Sequence, residues 1–501
     1  MSARLPRLRQ PVRVVAEPPE SVVLVGTAAA VMELRTRLNG HRDGLRPIRI
    51  AGEALVTASD PMAPDRLSRE DAWGDAIDRA LISLPAEAVT LRQAVQRRCD
   101  ELGLANTWIP TLADQLAGRA GASAALPVAQ IDPAHLLDRP ARPADPAALS
   151  GLLRGARVLI TGAGGSIGSE LARVVAAHAP ACVVLAERSE NALFEIDRTL
   201  RPAAFVHGTD VVPELHDITS RDRTRRLVSR HQPDLVLHAA AHKHVPMMEG
   251  HPGDAVENNF FGTRNVVDAA VEAGVGRVVM ISTDKAVNPS SVMGATKRLA
   301  ELYTQAAGAD PAHATSCSMV RFGNVLGSAC SVLPIWRDQL RRGGPLTVTH
   351  PDMTRYFMTI PEAAGLVLQA AAFTTPGHRC GDVFLLDMGE PVRIMELAHR
   401  FLRLQGHRPG VDVDIQITGP RPGEKLHEEL SYGSENVAAT EHPAVRRWVA
   451  APPEPRYAER LVQRFSGLRN DEAEPADVLA ALRAAVPEML RTAPVNSPVA
   501  A

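Results

Sequence analysis

Two lysines mark the stretch in which this sequence places residue types suited to proton transfer. Lysine and arginine together number 55, yet only four are lysines, and Lys285 and Lys297 both lie in the run MISTDKAVNPSSVMGATKR. Burial and nearby cations let a lysine lose its proton near neutral pH, whereas arginine stays charged. Asp284 precedes Lys285 directly, and a dry pocket keeps a carboxylic acid protonated. We therefore expect Lys285 to be a base with a lowered pKa and Asp284 to be an acid.

A glycine-rich turn is the second chemical feature. The run RVLITGAGGSIGSELAR puts Gly162, Gly165 and Gly168 between a predicted strand and a predicted helix. Glycine lets the backbone approach a pyrophosphate, and the free N–H groups of the helix N-terminus face the anion. The sequence therefore predicts a dinucleotide site that includes Ser166 and Ile167 of the same turn.

The end of the next predicted strand bears on the choice of dinucleotide. Glu187 follows Gly168 by 19 residues (187 − 168), the spacing of a carboxylate that accepts the ribose 2′-hydroxyl. A carboxylate repels a 2′-phosphate and so favours NAD, while Arg188 beside it favours NADP. NAD is the expected cofactor and NADP the alternative.

The elements that must position these residues follow an α/β pattern. From Arg157 onward, buried apolar strands alternate with amphipathic helices, which predicts a doubly wound parallel Rossmann sheet. After Ser328 the pattern becomes irregular and suits a smaller α/β substrate lobe. An earlier strand–turn–helix pattern has one glycine in its turn GTAAAV and predicts a degenerate Rossmann-like domain. The predicted divisions are a flexible lead at 1–20, the N-terminal domain at 21–118, a proline-rich linker at 119–150, the main domain at 151–445, and a helical extension with a disordered tail at 446–501.

Composition narrows the expected partners and compartment. The formal net charge of −2 gives no reason to expect nucleic-acid binding or attraction to anionic membranes. No apolar run reaches the roughly 20 residues that span a bilayer, and the N-terminus lacks the apolar core of a signal peptide. The five cysteines have neither metal-ligand nor redox spacing. We expect a cytoplasmic protein without a metal site.

Successive motifs resemble those of polysaccharide-biosynthesis nucleotide-sugar 4,6-dehydratases, extended short-chain dehydrogenase/reductase proteins that act on UDP-N-acetylglucosamine. The resemblance covers roughly residues 130–445. The N-terminal part resembles the extra Rossmann-like domain of the long members, without their transmembrane helices. The matching motifs are TGAGGSIGSEL, HAAAHKHVPMME, ENNFFGTRNV, STDKAVNP, VMGATKR, VRFGNVLGS, THPDMTRYFMTIPEA, LDMGEPVRI and RPGEKLHEEL.

The resemblance implies roles for the residues around the two lysines. Met293 and Lys297 occupy the positions of the Tyr-x-x-x-Lys pair of such proteins. Lys297 matches the lysine that hydrogen-bonds the nicotinamide ribose. Thr283, Asp284 and Lys285 match a catalytic triad, with Thr283 on the hexose C4 oxygen, Asp284 the acid at C6 and Lys285 the base at C5. Methionine carries no transferable proton, so the C4 proton leaves through Asp284 or a Thr283 relay, and the residues leave both routes open.

The resemblance also assigns residues to the two ligands. Asp217 and Ile218 match a pair that borders adenine, and Ala239 and Ala240 allow the backbone to lie against the cofactor. The residues expected at the sugar nucleotide are Lys243, Asn324, Arg355 and Arg421.

Some positions are ambiguous or depart from the family pattern. Asn258 and Asn259 suit backbone anchoring as well as a cofactor role. Ala329 and Cys330 stand where the family usually has Arg-Gly, and His427 stands where it often has tyrosine. The loss of that arginine leaves the exact hexose open.

The expected function is NAD-dependent 4,6-dehydration of a UDP-N-acetylhexosamine, with UDP-N-acetylglucosamine the first candidate. The product would be a 4-keto-6-deoxy sugar nucleotide for surface polysaccharide or glycans. The alternatives are a C4 or C5 epimerase on the same scaffold and a catalytically silent NAD-binding regulator. The resemblance further implies a homodimer or larger oligomer through the helices after Asn258 and Met293.

Overall fold

The computed structural model divides the chain into two units, Met1–Asp138 with His399–Asp414 and Arg139–Ala398 with Ile415–Ala501. Residues 1–19 of the predicted lead, most of the predicted linker and the end of the predicted C-terminal tail lie outside the residues that the structure describes. The described residues are 20–40, 48–55, 77, 79–85, 88–102, 104–109, 111, 136–137, 139–377, 381–405, 407–432, 436–449, 453–469 and 473–489.

The first unit contains a parallel sheet of the kind that the early α/β pattern predicts. Its strand order is β2-β1-β3-β4, and its core includes Val22, Leu24 and Leu81. A Cβ on Gly26 would lie 2.3 Å from the Ser83 carbonyl oxygen, so glycine is needed where β1 ends. The elements are β1 Glu20–Gly26, α1 Ala28–Gly40, β2 Ile48–Leu55, β3 Arg79–Ser83, α2 Val89–Glu101 and β4 Ala105–Trp108.

The second unit is built on a large, mostly parallel sheet, as predicted. Among the described residues nine strands pair in the order β18-β19-β15-β10-β9-β8-β5-β6-β7, and only the β15–β19 and β18–β19 pairs are antiparallel. The central strands are buried on both faces, which explains their continuous apolar runs. The strands are β5 Arg157–Thr161, β6 Cys182–Glu187, β7 Asp210–Leu215, β8 Leu235–His238, β9 Arg277–Ile281, β10 Ser316–Arg321, β15 Gly381–Leu386, β18 Val437–Ala439 and β19 Val445–Trp448.

Helices cover both faces of this sheet, and three pairs of short strands form separate two-stranded sheets. The helices are α3 Pro146–Leu153, α4 Ser166–Ala176, α5 Glu190–Val206, α6 Arg221–His231, α7 Val245–Gly250, α8 Pro252–Ala255, α9 Gly262–Glu272, α10 Val292–Ala309, α11 Val332–Arg341, α12 Ile360–Phe373, α13 Ile394–Leu404, α14 Pro455–Phe465 and α15 Pro475–Ala485. The strand pairs are β11 Asn324–Leu326 with β14 Phe357–Thr359, β12 Leu346–Val348 with β17 Ile415–Ile417, and β13 Thr354–Arg355 with β16 Val392–Arg393. No helix in these described segments is long and apolar enough to cross a bilayer.

A helix begins inside the proline-rich segment that the sequence predicts to be a linker. Helix α3 begins at Pro146, and the Asp145 carboxylate accepts a hydrogen bond from the Ala147 N–H as its N-cap. Arg139 forms an ion pair at 2.6 Å with Glu362, whose side chain is buried. Proline is compatible with the first turn of a helix, so α3 can begin inside the segment for which the sequence predicts a linker.

The C-terminal helices pack on the helix that carries Lys297. Of the 18 residues of α10, 16 are buried. Phe465 of α14 packs edge-on against Phe260 at 5.8 Å between ring centroids, and Leu482 of α15 belongs to the same core as Tyr303 of α10. An oligomer interface on α10, as the resemblance implied, would therefore have to displace helices of the chain itself.

Candidate active site

The glycine-rich turn has the close backbone packing that a dinucleotide cradle requires. Gly162 has φ +67, and a Cβ there would lie 2.7 Å from the Ala240 N. A Cβ on Gly168 would lie 2.1 Å from the Gly162 carbonyl oxygen. Gly165 is the N-cap of α4, which leaves backbone N–H groups of the first helical turn free for an anion. The residues therefore fit the dinucleotide that the sequence predicts.

Gly168→Ala is expected to reduce NAD affinity at least about tenfold, because the added Cβ moves the turn away from the helix end. The matched control is Gly151→Ala in α3, where a Cβ meets nothing within 4 Å. Isothermal titration of both variants with NAD tests this. Equal affinities of the two variants would contradict the cradle.

Glu187 and Arg188 lie beside this turn at the end of β6. The Glu187 carboxylate accepts hydrogen bonds from the backbone N–H groups of Gly164 at 3.2 Å and Ser189 at 3.0 Å. The Arg188 guanidinium donates to Asn258 Oδ1 at 3.4 Å. Glu187 thus holds the turn in addition to any ribose contact, a role that the sequence reading did not assign.

The residues expected at adenine are held in place by their neighbours. Asp217 accepts hydrogen bonds from the Thr219 backbone N–H and hydroxyl. Burial raises the pKa of Asp217, but these hydrogen bonds outweigh it and the pKa is lowered. A Cβ on Gly262 would lie 2.6 Å from Ile218 Cδ1, so the start of α9 packs directly on Ile218.

Asn258 and Asn259 lie in a turn of π-helix over Val256–Phe261, and their side chains have different contacts. The Asn259 amide accepts from the His242 N–H at 2.7 Å and donates to the His242 carbonyl oxygen at 3.0 Å. It also donates to Thr296 of α10 at 3.2 Å. Asn259 therefore anchors the backbone after β8, whereas Asn258 contacts Arg188.

Lys297 and Met293 lie one helical turn apart on α10, and both are buried. The Lys297 ammonium donates to the Ile281 carbonyl oxygen at 2.6 Å, at the end of β9. Burial lowers the pKa of Lys297 to about 8. Lys297 thus lies against the end of the strand that precedes the candidate triad, and its contact with the nicotinamide ribose stays a prediction.

The structure brings Thr283, Asp284 and Lys285 together at the end of β9. The Thr283 hydroxyl donates to Asp284 Oδ1 at 2.9 Å. The Lys285 ammonium donates to the same oxygen at 2.9 Å and to Asn324 Oδ1 at 3.0 Å. The Asp284 side chain is 0% exposed. One fully buried carboxylate therefore accepts from both neighbours of the triad.

The prediction that the pKa of Lys285 is lowered was wrong. Burial lowers the pKa of Lys285, but the carboxylates of Asp284 and Glu428 outweigh burial, and the pKa is raised. Glu428 Oε1 lies 3.7 Å from Lys285 Nζ. Sequence reasoning missed Glu428 because it lies in RPGEKLHEEL, where nothing local indicates a contact with β9.

The scarcity of lysine makes these two pKa values directly observable. Only four lysines occur in the chain, so lysine labelled with ¹³C at Cε gives few NMR signals, assigned by Lys285→Arg and Lys297→Arg. The Lys297 signal is expected to titrate with a midpoint of about 8, while the Lys285 signal stays at its charged position well above that pH. Coincident titration of the two signals would contradict the environments described above.

Side chains from several elements fix the backbone of the triad. A Cβ on Gly294 would lie 2.2 Å from the Lys285 carbonyl oxygen, so α10 packs directly on that segment. The Lys425 ammonium donates to the Val287 carbonyl oxygen at 2.9 Å, and the Tyr432 hydroxyl donates to the Ala286 carbonyl oxygen at 3.2 Å.

Two residues expected at the sugar-nucleotide diphosphate have other contacts. Arg355 has a side chain that is 6% exposed, and it donates to the backbone carbonyl oxygens of Thr354, Lys425 and Leu426. Arg355 thus fastens β13 to the segment that carries Glu428. The Asn324 amide oxygen accepts from the Lys285 ammonium and so belongs to the surroundings of the triad.

The other two expected residues lie at more open positions. The Lys243 ammonium donates to the Ala329 carbonyl oxygen at 2.7 Å, and the Ala329 N–H donates to the Ser166 hydroxyl at 3.0 Å. The loop with Cys330 thereby connects Lys243 to the glycine-rich turn. The Arg421 side chain is exposed and pairs with Glu424 at 2.6 Å.

Comparison with known proteins relates this arrangement to sugar-nucleotide enzymes. The capsular polysaccharide biosynthesis protein CapD of Staphylococcus aureus is 43% identical over 359 residues, 72% of this chain and 58% of CapD. The chain thus spans less than two thirds of that relative's length. A UDP-N-acetylglucosamine 4,6-dehydratase (inverting) of Campylobacter jejuni is 31% identical over 299 residues, 58% of this chain and 83% of that protein.

A solved structure and a family model also match this chain. The X-ray structure of Pen from Bacillus thuringiensis is 30% identical with a TM-score of 0.54, and the match covers 61% of this chain and 90% of Pen. A family model described as polysaccharide biosynthesis protein matches residues 158–450, which is more than half of the chain. With the glycine-rich turn, Lys297 and the triad at the end of β9 all inside that span, the chain belongs to the polysaccharide biosynthesis protein family.

Proposed function

We propose that this chain catalyses the 4,6-dehydration of a UDP-N-acetylhexosamine, with UDP-N-acetylglucosamine the first candidate, for polysaccharide biosynthesis. The observation that carries the proposal is the cluster in which Thr283 and Lys285 donate to the buried Asp284 carboxylate. Lys297 donates to the carbonyl oxygen of Ile281, the last residue of the preceding strand. The name of the Campylobacter relative supports the substrate class. Simple C4 epimerisation by a tyrosinate is disfavoured, because position 293 holds methionine where such enzymes have the tyrosine.

A nicotinamide dinucleotide, NAD or NADP with NAD preferred, would be held by the glycine-rich turn, Glu187, Asp217 and Lys297. When bound, it supplies a reversible hydride acceptor beside the hexose. Lys297 offers a compact ammonium to one ribose. The absence of a side chain at Gly162 lets the turn lie directly against Ala240, and glycine in such a turn allows the backbone to approach a pyrophosphate.

Proton transfer would be the task of the triad. The 2.9 Å hydrogen bond from the Thr283 hydroxyl to Asp284 gives the C4 hydroxyl proton a route through Thr283 to the carboxylate. Asp284 then holds the proton that the C6 hydroxyl needs to leave as water. This relay replaces the missing tyrosine, and it supplies the acid without requiring a protonated aspartate at the start.

Lys285 would remove the C5 proton, which is acidified once C4 is a ketone. The Asn324 amide oxygen and Asp284 fix the direction of the amine. An amine must be neutral to accept a proton, whereas Lys285 is held as an ammonium in the free chain. Substrate binding therefore has to be accompanied by loss of one proton from Lys285.

Incubation of the purified chain with UDP-N-acetylglucosamine and NAD, followed by mass spectrometry, tests the function. Dehydration predicts a product lighter than the substrate by one water molecule. An epimerase would give a product of unchanged mass, and a silent NAD-binding regulator would bind NAD and leave the substrate intact. Either of the last two results would overturn the proposal.

A further inference from the structure

The surroundings of Lys285 contain a second buried carboxyl group that the proposed reaction does not use. The Glu428 side chain is 3% exposed. Its Oε1 lies 3.7 Å from Lys285 Nζ and 3.8 Å from Arg355 Nε. Its Oε2 is buried without a hydrogen-bond partner in the described structure, and the same is true of Asp284 Oδ2. Two buried carboxyl groups thus flank one amine, each with an oxygen available for another proton or a ligand hydroxyl.

Four charged groups face Glu428 and determine how readily it takes a proton. Burial raises the pKa of Glu428, and the negative charge of Asp284 adds to this. Lys285, Arg355 and Lys425 act in the opposite direction, and the pKa remains raised. The Glu428 carboxylate therefore takes a proton more readily than the carboxylate of an exposed glutamate.

We propose that Glu428 takes one proton from Lys285 when the sugar nucleotide binds and keeps it until the product leaves. In this step an Nζ–H bond of Lys285 breaks and an O–H bond of Glu428 forms, and no electrons are gained or lost. The neutral amine then removes the C5 proton and returns it to C5 later in the turnover. The inference rests on the proposed dehydration, and Glu428 acts through Lys285 rather than on the sugar.

An internal proton transfer leaves a signature in the pH dependence. When the proton moves between two groups inside the site, the population of neutral Lys285 does not depend on the proton concentration in solution. The kcat of the unmodified chain is therefore expected to be nearly flat from about pH 6 to 7, below the pH of about 8 at which Lys297 titrates. An amide at position 428 cannot accept the proton, so Lys285 must then release it to water.

The test compares kcat against pH for Glu428→Gln, Glu428→Asp and the unmodified chain. For Glu428→Gln we expect kcat to fall about 10- to 100-fold near pH 7 and to rise roughly tenfold per pH unit, with little change in KM. Glu428→Asp keeps a carboxyl group and should keep the flat profile at a lower rate. Glu429→Gln is the matched control, because Glu429 is 47% exposed and lies next in the chain.

The outcomes separate this inference from the proposed function. If the unmodified chain forms no dehydrated product, the proposed function fails. If it does, and the Glu428→Gln profile lies parallel to that of the unmodified chain, Glu428 only positions Lys285 and the inference is wrong. A Glu428→Gln variant that is faster at neutral pH also overturns it. Circular dichroism and NAD titration verify folding, and the profile of Glu428→Asp decides the question should Glu428→Gln fail to fold.

Discussion

Lys285→Arg is expected to reduce product formation from the sugar nucleotide at least about 10³-fold, since arginine cannot become a neutral base at position 285. The side chain keeps its positive charge, so the pairing with Asp284 and the local electrostatics change little. NAD affinity is expected to stay within about twofold, because Lys285 does not belong to the glycine-rich turn. Product formation by mass spectrometry and NAD binding by calorimetry are the two measurements.

An active Lys285→Arg variant would refute the assignment of the base. A variant that also loses NAD binding would instead indicate a wider disturbance, and Lys285→Met, with similar length and no charge, would then separate the two effects. The requirement for a neutral amine also explains why a chain rich in arginine keeps lysine at this position.

Glu301→Gln is expected to destabilise the fold by about 3–5 kcal/mol, because it removes the countercharge of a fully buried arginine. Arg321 and Glu301 form two 2.8 Å contacts, and both side chains are 0% exposed. Arg298 adds a further hydrogen bond to Glu301 at 3.1 Å. The free energy of unfolding from urea titration is the measurement.

The matched control for this variant is Glu195→Gln. Glu195 pairs with Arg198 at 2.7 Å, but both side chains are about 60% exposed, and exposed pairs contribute roughly 0–1 kcal/mol. Equal losses of stability in the two variants would contradict the account of the buried pair.

The buried pair also predicts a pH dependence. Burial raises the pKa of Glu301, but the neighbouring arginines outweigh burial and lower it from 4.5 to about 2. Because the pKa in the folded chain lies below that in the unfolded chain, this contribution is complete above pH 4.5 and is lost as the pH falls toward 2. The Ser282 hydroxyl donates to Glu301 at 2.6 Å, so the pair also supports the residue before the triad.

The sequence was sufficient for features that depend on local pattern. The apolar run RVLIT followed by three spaced glycines predicted β5, the turn and α4, because each element follows from neighbouring residues. Thr283, Asp284 and Lys285 are adjacent in the chain, so any turn after β9 keeps them together.

Features that depend on long-range packing were not predictable in the same way. The contact of Glu428 with Lys285 arises only when the RPGEKLHEEL segment folds back onto the end of β9. The resemblance assigned Arg355 to the sugar nucleotide, whereas β13 places its guanidinium among backbone carbonyl groups. The covering of α10 by α14 and α15 likewise depends on a tertiary arrangement that amphipathic patterns do not specify.

The most direct test of the account is a crystal structure of the Asp284→Asn variant with NAD and UDP-N-acetylglucosamine bound. We expect Lys285 Nζ to lie within about 3–3.5 Å of the hexose C5 atom, the separation of a reactive contact, and the residue 284 side chain to contact the C6 hydroxyl. A hexose bound elsewhere, with the Lys285 amine directed into solvent, would leave the reaction without a proton acceptor and would contradict the account.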